Sequence, residues 1–188
     1  MKFKVKKLSE NAIIPTRNDE GAAGYDLYAA ETHIVEPGQR QLVKTNIAIH
    51  CEKGYFGKIE GRSGLAYKQG ICILGGVIDE NYSGDIGVIL YNSEKDVGMK
   101  REDGTYLTNQ EWQDEMKKKC LFIQKGDRIA QIIFQKYESP ELIEVEELEE
   151  TVRGEKGYGS SDNPELTNLL KNLGVQASVK NTYEHPRF

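Results

Sequence analysis

Short apolar runs rich in β-branched residues recur through the first two-thirds of the chain, each closed off by glycine or another turn former. Ile47-Ala48-Ile49, Gly70 to Leu74, Ile86 to Tyr91 and Ile129 to Phe134 are the clearest. Runs this short suit strands better than helices, because a β-branched side chain is stiff and packs well on a pleated face. Pro37-Gly38 marks a turn between two of them. No sustained helical period precedes residue 93, so the body of the chain, residues 1–150, reads as all-β, a sandwich or barrel of short strands.

Two segments break that rhythm. Residues 93–120 are polar, and their charges nearly cancel, with six Lys/Arg against seven Asp/Glu. Thr108 followed by Asn109-Gln110-Glu111 is a capping box, and Leu107 with Trp112 is spaced as a hydrophobic staple. Lys117, Lys118 and Lys119 fall where positive charge suits a helix C-terminus. The spacing therefore predicts a small helical insert. In the tail, residues 163–188, the stretch Pro164 to Gly174 opens on proline and closes on glycine. Leu166, Leu169, Leu170 and Leu173 share one face, which predicts a short amphipathic helix. The run ELIEVEELEE before it reads as a solvated edge strand and linker.

At 188 residues, 38% hydrophobic and 29% charged, the chain is expected to be one soluble globular domain with an appendage. It has no apolar run of the ~20 residues that span a bilayer, and its start lacks a signal peptide's apolar middle, so a cytoplasmic location without membrane contact is expected. Cys51, Cys72 and Cys120 form no CxxC pair, which supports neither a zinc site nor a disulfide framework. A net charge of −5 without a basic stripe argues against direct nucleic-acid binding. A phosphate-bearing ligand would then be small and accompanied by a divalent cation.

Five segments could carry chemistry. Ala22 to Ala30 sets Asp26 among small residues that admit close backbone approach, though plain strand-edge packing explains it equally. In Gly61-Arg62-Ser63-Gly64, an Arg fork beside a hydroxyl suits a phosphate, with a surface ion pair as the alternative for Arg62. Gly76 to Asp85 reads as a strand entering a tight turn. There Asp79 could orient water and Tyr82 could stack on a flat ring, or the turn is simply a polar hairpin tip. In Lys125 to Gln131, Asp127 and Arg128 favour structural roles, while Gln131 lies in an apolar run where a buried amide needs a partner. Arg153 to Ser161 combines glycines, hydroxyls, an arginine and Tyr158: either a phosphate-binding arm or a plain linker. It is not a Walker loop. His33, His50 and His185 sit in no nucleophile motif, so Asp79 suits activation of water.

In order and spacing, these five segments resemble the trimeric dUTP nucleotidohydrolase (dUTPase) family from about Phe3 to Asp162. The resemblance implies a distorted jelly-roll assembled as a homotrimer, with sites shared between subunits, hydrolysing dUTP to dUMP and pyrophosphate. It implies that Asp79 orients the attacking water and Tyr82 lies beneath the deoxyribose, while backbone from Leu74 to Ile78, including Gly76 and Ile78, reads the uracil edge. Arg62, Ser63, Gly64 and Gln131 would hold phosphate oxygens, and Asp26 would hold waters of a phosphate-bound Mg²⁺. Residues 151–162 would be the closing arm that binds substrate through Arg153, Tyr158, Gly159, Ser160 and Ser161, with Arg153 countering phosphate charge, Tyr158 over the base, and Ser160 and Ser161 on the γ-phosphate.

The chain departs from the family pattern at Lys156 and Asp162, where glycine is usual, and at Tyr158, where phenylalanine is common. Phage-encoded members from Gram-positive hosts resemble this chain in carrying an insert, and some are proposed to bind repressors. A regulatory protein contact through residues 93–120 is therefore the second expectation, and host cytoplasm the location if the gene is a phage's. The related dCTP deaminases share the fold but use different residues where Asp79 and Tyr82 stand.

Overall fold

The computed structural model describes residues 2–152 together with Gly154 and Asn172. The expectations for Arg153, Tyr158, Gly159, Ser160, Ser161 and the helix from Pro164 lie outside the described residues. By internal contacts the chain forms two units, Met1–Pro140 and Glu141–Phe188. The first carries eleven strands and two helices, in a distorted jelly-roll of antiparallel strands.

In chain order these are β1 (Lys4–Lys7), β2 (Tyr25–Tyr28), β3 (His33–Val35), β4 (Arg40–Lys44), β5 (Ile47–His50) and β6 (Tyr55–Glu60). Next come α1 (Ser63–Gln69), β7 (Ile71–Leu74), β8 (Val77–Ile78), β9 (Gly87–Asn92), α2 (Asn109–Lys119), β10 (Leu121–Ile123) and β11 (Arg128–Lys136). Each apolar run read from the sequence forms a strand. A four-stranded sheet runs β2-β11-β6-β8 and a three-stranded one β4-β9-β7, with the pairs β1-β5 and β10-β3 beside them.

Alternation along the strands sends Leu27, Val43, Val88, Leu90, Ala130 and Ile132 into the core, all fully buried. Removing each of the larger side chains from water contributes roughly 1.5–3 kcal/mol, which is why these positions, rather than the turns, hold the sheets together.

One irregularity in β11 positions the site. Its register on β2 shifts between Arg128 and Ala130, so Arg128 faces Tyr28 while Gln131 faces Asp26. In a regular strand residues three apart point to opposite faces. The extra residue of the bulge puts Arg128 and Gln131 on the same face, the one that Asp26 occupies.

The insert helix forms as its sequence predicts. Thr108 Oγ1 accepts from the Glu111 amide at 3.3 Å, and Glu111 Oε2 accepts from the Thr108 amide at 2.8 Å. The Trp112 indole donates to the Val97 carbonyl at 2.7 Å. Asn92, fully buried, closes the base of the segment: its Nδ2 donates to the carbonyls of Val35 and Lys119, and its Oδ1 accepts from the Glu94 amide. A buried amide with three partners is satisfied, so both ends of the insert are tied to one point of the sheet.

In the second unit, Glu141–Glu150 forms no strand and every residue is exposed, a departure from the edge-strand expectation. Six glutamates in ten residues leave too few apolar positions on either face to hold a pleated partner. No helix among the described residues is long and apolar enough to cross a membrane.

Candidate functional site

Two groups of the sequence-predicted residues emerge, and they are separate. The first lies on the polar face of β2 and β11. Asp26, only 15% exposed, receives Arg62 Nε at 3.5 Å on one carboxylate oxygen and Arg128 Nη1 at 3.2 Å on the other. Arg62 also donates through Nη1 to the Arg128 carbonyl at 2.9 Å. Arg62 is the residue preceding α1, and its side chain makes no capping bond, so it is free to cross to β11. Ser63 and Gly64 open that helix and are exposed.

Gln131, opposite Asp26 and Glu60 in register, donates to the Gly61 carbonyl at 3.1 Å, the partner that its place in an apolar run demands. Gly24 leaves room for it: a Cβ there would sit 2.5 Å from Gln131 Oε1 and would force the amide to move. The result is one carboxylate, two guanidinium groups and an amide on one face. Such a set suits an anionic ligand with several oxygens.

Arg128, expected to pair with a neighbouring segment, does so through Asp26, and its guanidinium thereby joins Arg62 in this cluster. The bulge that turns it toward Asp26 has no local sequence signal. Asp127 does keep a structural role, accepting the Gln124 amide at 2.8 Å within the turn before β11.

The second group surrounds the turn after β8. Asp79 is exposed, and the Tyr82 amide donates to its carbonyl at 3.1 Å, which closes the bend. The Tyr82 hydroxyl donates to the Asp85 carbonyl at 2.8 Å, laying the ring along residues 82–85. Gly84 makes that possible, since a Cβ there would stand 2.6 Å from the hydroxyl oxygen. The Gly76 carbonyl is taken by the Ile59 amide at 2.8 Å. The Ile78 side chain packs against the core, which leaves only backbone at these two positions for a ligand. Asp79 borders a groove of about 560 Å³ with Phe56, Val77, Glu80, Asn81 and Tyr137.

Electrostatics distinguish the neighbours of this turn. Glu80 is held below the usual carboxylate range, first by the Gly54 amide (2.6 Å from Oε2) and then by the Tyr137 hydroxyl. The Tyr137 phenol is pushed up by the same contact. Burial raises the Asp85 carboxyl, against the opposing pull of the Asn46 and Ile47 amides and of Lys44. Nothing local in the sequence marks Glu80 or Tyr137, because they meet only through the fold.

Within one chain the two groups cannot meet. Asp26 and the β8 turn lie at opposite edges of the β2-β11-β6-β8 sheet, three interstrand spacings apart, or about 14 Å. Their registers on β6, at Glu60 and Gly57, add about 10 Å along the strands. Hydrogen-bond reach is far shorter.

No group of three or more His, Cys, Asp or Glu side chains among the described residues could hold a metal ion by itself. Any cation near Asp26 would therefore need most of its ligands from a substrate and from water, the usual manner of Mg²⁺ with nucleotide phosphates.

The dUTPase family model matches residues 10–103 and 115–162 and passes over a stretch inside the insert. The chain is 45% identical over 156 residues to the deoxyuridine 5'-triphosphate nucleotidohydrolase of vaccinia virus (strain Copenhagen), covering 82% of this chain and 89% of that protein. It is equally similar to the monkeypox virus enzyme of that name, at 45% identity, 82% of this chain and 87% of that one. Among solved structures, the dUTPase of Staphylococcus bacteriophage 80alpha with dUPNHPP superposes with a TM-score of 0.72 and 35% identity, covering 86% of this chain and 99% of that chain. A mutant dUTPase from phage phi11 of S. aureus, whose structure details the coordination of a structural Mg(II) ion, gives a TM-score of 0.66 and 32% identity over 80% of this chain and all of that one.

Proposed function

The chain belongs to the dUTPase family and is a dUTP nucleotidohydrolase, and we propose that it releases dUMP and pyrophosphate by water attack on the α-phosphorus. The observation that carries this reading is the pairing of Asp26, Arg62, Arg128 and Gln131 on one sheet face. Phosphoryl transfer needs charge neutralisation and positioning above all, and two guanidinium forks with an amide supply both for a triphosphate. In the free protein the arginines rest on Asp26; with substrate they are shared with phosphate oxygens.

Asp79, exposed on its turn, orients the water and accepts its proton. Tyr82 faces the sugar, and the backbone around Gly76 and Ile78 reads the base. The separation of the two groups within one chain supports a homotrimer in which the Asp79 turn of one subunit faces the Asp26 cluster of another. Arg153, Tyr158, Gly159, Ser160 and Ser161 close the site as an arm. Asp26 would hold a substrate-borne Mg²⁺ through water, and the ion when bound supplies further neutralisation of phosphate charge.

Incubation with dUTP, dCTP, dTTP or UTP, with Mg²⁺ or with a chelator, tests this. Pyrophosphate from dUTP alone, and only with the metal, is expected. Ammonia from dCTP would replace the reading by deamination.

A regulatory reading for the insert rests on a separate observation. No residue of α2 is buried, and both ends of the insert are tied down at Asn92, so the segment is an addition to the sheet rather than part of its core. Deleting Gly98 to Lys118 keeps the Lys119 carbonyl on Asn92. Hydrolysis by that variant is expected within about twofold of the parent, while its binding to a regulatory protein should disappear. Loss of activity or of the trimer would make the insert structural.

A further inference from the structure

We propose that Glu80 is a positioning residue for hydrolysis, its carboxylate tethering the Asp79 turn to the Gly54 turn and to Tyr137 at the end of β11. The inference rests on the reading of Asp79 as the water-orienting carboxylate.

The need for a tether follows from the sheet. β8 is two residues long and holds β6 through only two register pairs, Ile78 on Gly57 and Val77 on Lys58. A strand this short is weak support for the four residues beyond it. Glu80 adds the missing attachment. Its Oε2 accepts the Gly54 amide at 2.6 Å, across 26 positions of sequence, and it lines one groove with Tyr137, whose hydroxyl helps to hold the carboxyl below its usual range. The Tyr137 amide in turn donates to the Gly54 carbonyl at 3.1 Å, so the three residues close a ring. Gly54 takes φ 82°, a left-handed conformation that presents its amide to the carboxylate.

The two adjacent carboxylates are thereby set to different tasks. Glu80 is turned into the ring and stays ionised, with Lys53 and His50 adding to its acidity; the Cys51 thiol is raised first by burial and then by the Glu80 charge. Asp79, its immediate neighbour, is left facing the groove that Phe56 and Tyr137 also line. The ring holds the backbone between them and so sets where the Asp79 carboxylate points. A displacement near 1 Å at a reacting group can cost about 100-fold in rate, so a tether one residue away has leverage.

The test uses the full-length enzyme with dUTP and Mg²⁺. Glu80→Ala is expected to lower kcat about 10- to 100-fold while KM stays within about threefold. Nucleotide affinity measured in the Asp79→Asn background should not change on adding Glu80→Ala. Glu80→Gln should restore kcat to within about threefold, because its amide oxygen still accepts from Gly54. Tyr137→Phe, which removes one hydroxyl, should lower kcat by about threefold or more and add nothing to Glu80→Ala. It keeps the test decisive if the alanine variant folds poorly.

Unchanged kcat in Glu80→Ala or in Tyr137→Phe would overturn the proposal. So would a glutamine variant as slow as the alanine one, or a loss confined to KM. Full turnover in Asp79→Asn would instead remove the underlying reading, and the proposal with it.

Discussion

The Asp26 cluster and the Asp79 turn both present carboxylate chemistry, yet the chain builds them in opposite ways. Asp26 sits on a strand bonded to the nine-residue β11, mostly buried and gripped by two arginines. Asp79 sits past the end of a two-residue edge strand, exposed, and its turn is fastened by Glu80 and by the Tyr82 hydroxyl. A group that must hold several like charges benefits from a rigid, pre-paired frame, because reorganisation during binding costs affinity. A group that must admit a base and a water cannot be enclosed in its own subunit. On the proposed reading, the difference teaches that binding is built into the sheet and reaction into its margin.

The strongest way to break that contrast is Asp79→Asn. It is expected to lower kcat by about 1,000-fold or more while dUTP affinity, measured by calorimetry, stays near the parent's. Lost affinity with preserved turnover would invert the two roles.

Arg62→Ala probes the other side. Loss of a charge-assisted contact worth about 1.5–3 kcal/mol should weaken dUTP binding roughly 10- to 150-fold, read as KM and as affinity, with a smaller change in kcat. An effect on kcat alone would place Arg62 with the chemistry instead of the binding frame.

The smallest expected effect concerns how the turn joins the body. Asp85, whose carbonyl holds Tyr82, is half-buried, its Oδ1 is enclosed without a hydrogen-bond partner, and burial raises its carboxyl above the ordinary value of 3.8. The folded state therefore binds this proton more readily than the unfolded chain does. Its contribution to stability is fully present below pH 3.8 and is lost as the pH rises through the raised folded value. Asp85→Asn does not titrate, so the parent's melting temperature relative to the variant should fall as the pH climbs through that window. A difference that is flat with pH would mean that Asp85 titrates alike in the folded and unfolded chains.

Much of this architecture could be read locally. Runs such as Ile86 to Tyr91 and Ile129 to Phe134 announce strands because stiff, branched side chains demand a pleated face. Thr108 and Glu111 announce α2 because a capping box satisfies orphan amides within four residues. Gln131 signalled its own importance, since an amide in an apolar run must be paired, and Gly61 pairs it. The edge strand expected at Glu141 to Glu150 failed because six glutamates leave too few apolar positions on either face to hold a partner.

Other features were not legible. The bulge that turns Arg128 toward Asp26 depends on the register of β11 against β2. The Glu80 ring joins residues 54, 80 and 137. Asn92 gathers the ends of a segment whose helix gives no hint of where it is anchored.

By itself, then, the sequence determined the periodic strands, the capped insert and the residue types able to handle a phosphate. Period, capping and hydrogen-bonding capacity are properties of neighbours a few residues apart, so they survive without the fold. Only the tertiary structure decided that Arg128 joins Asp26, that Glu80 holds the Asp79 turn, and that the two groups stand at opposite edges of one sheet. Register and strand order set those distances, and both come from the packing of distant segments.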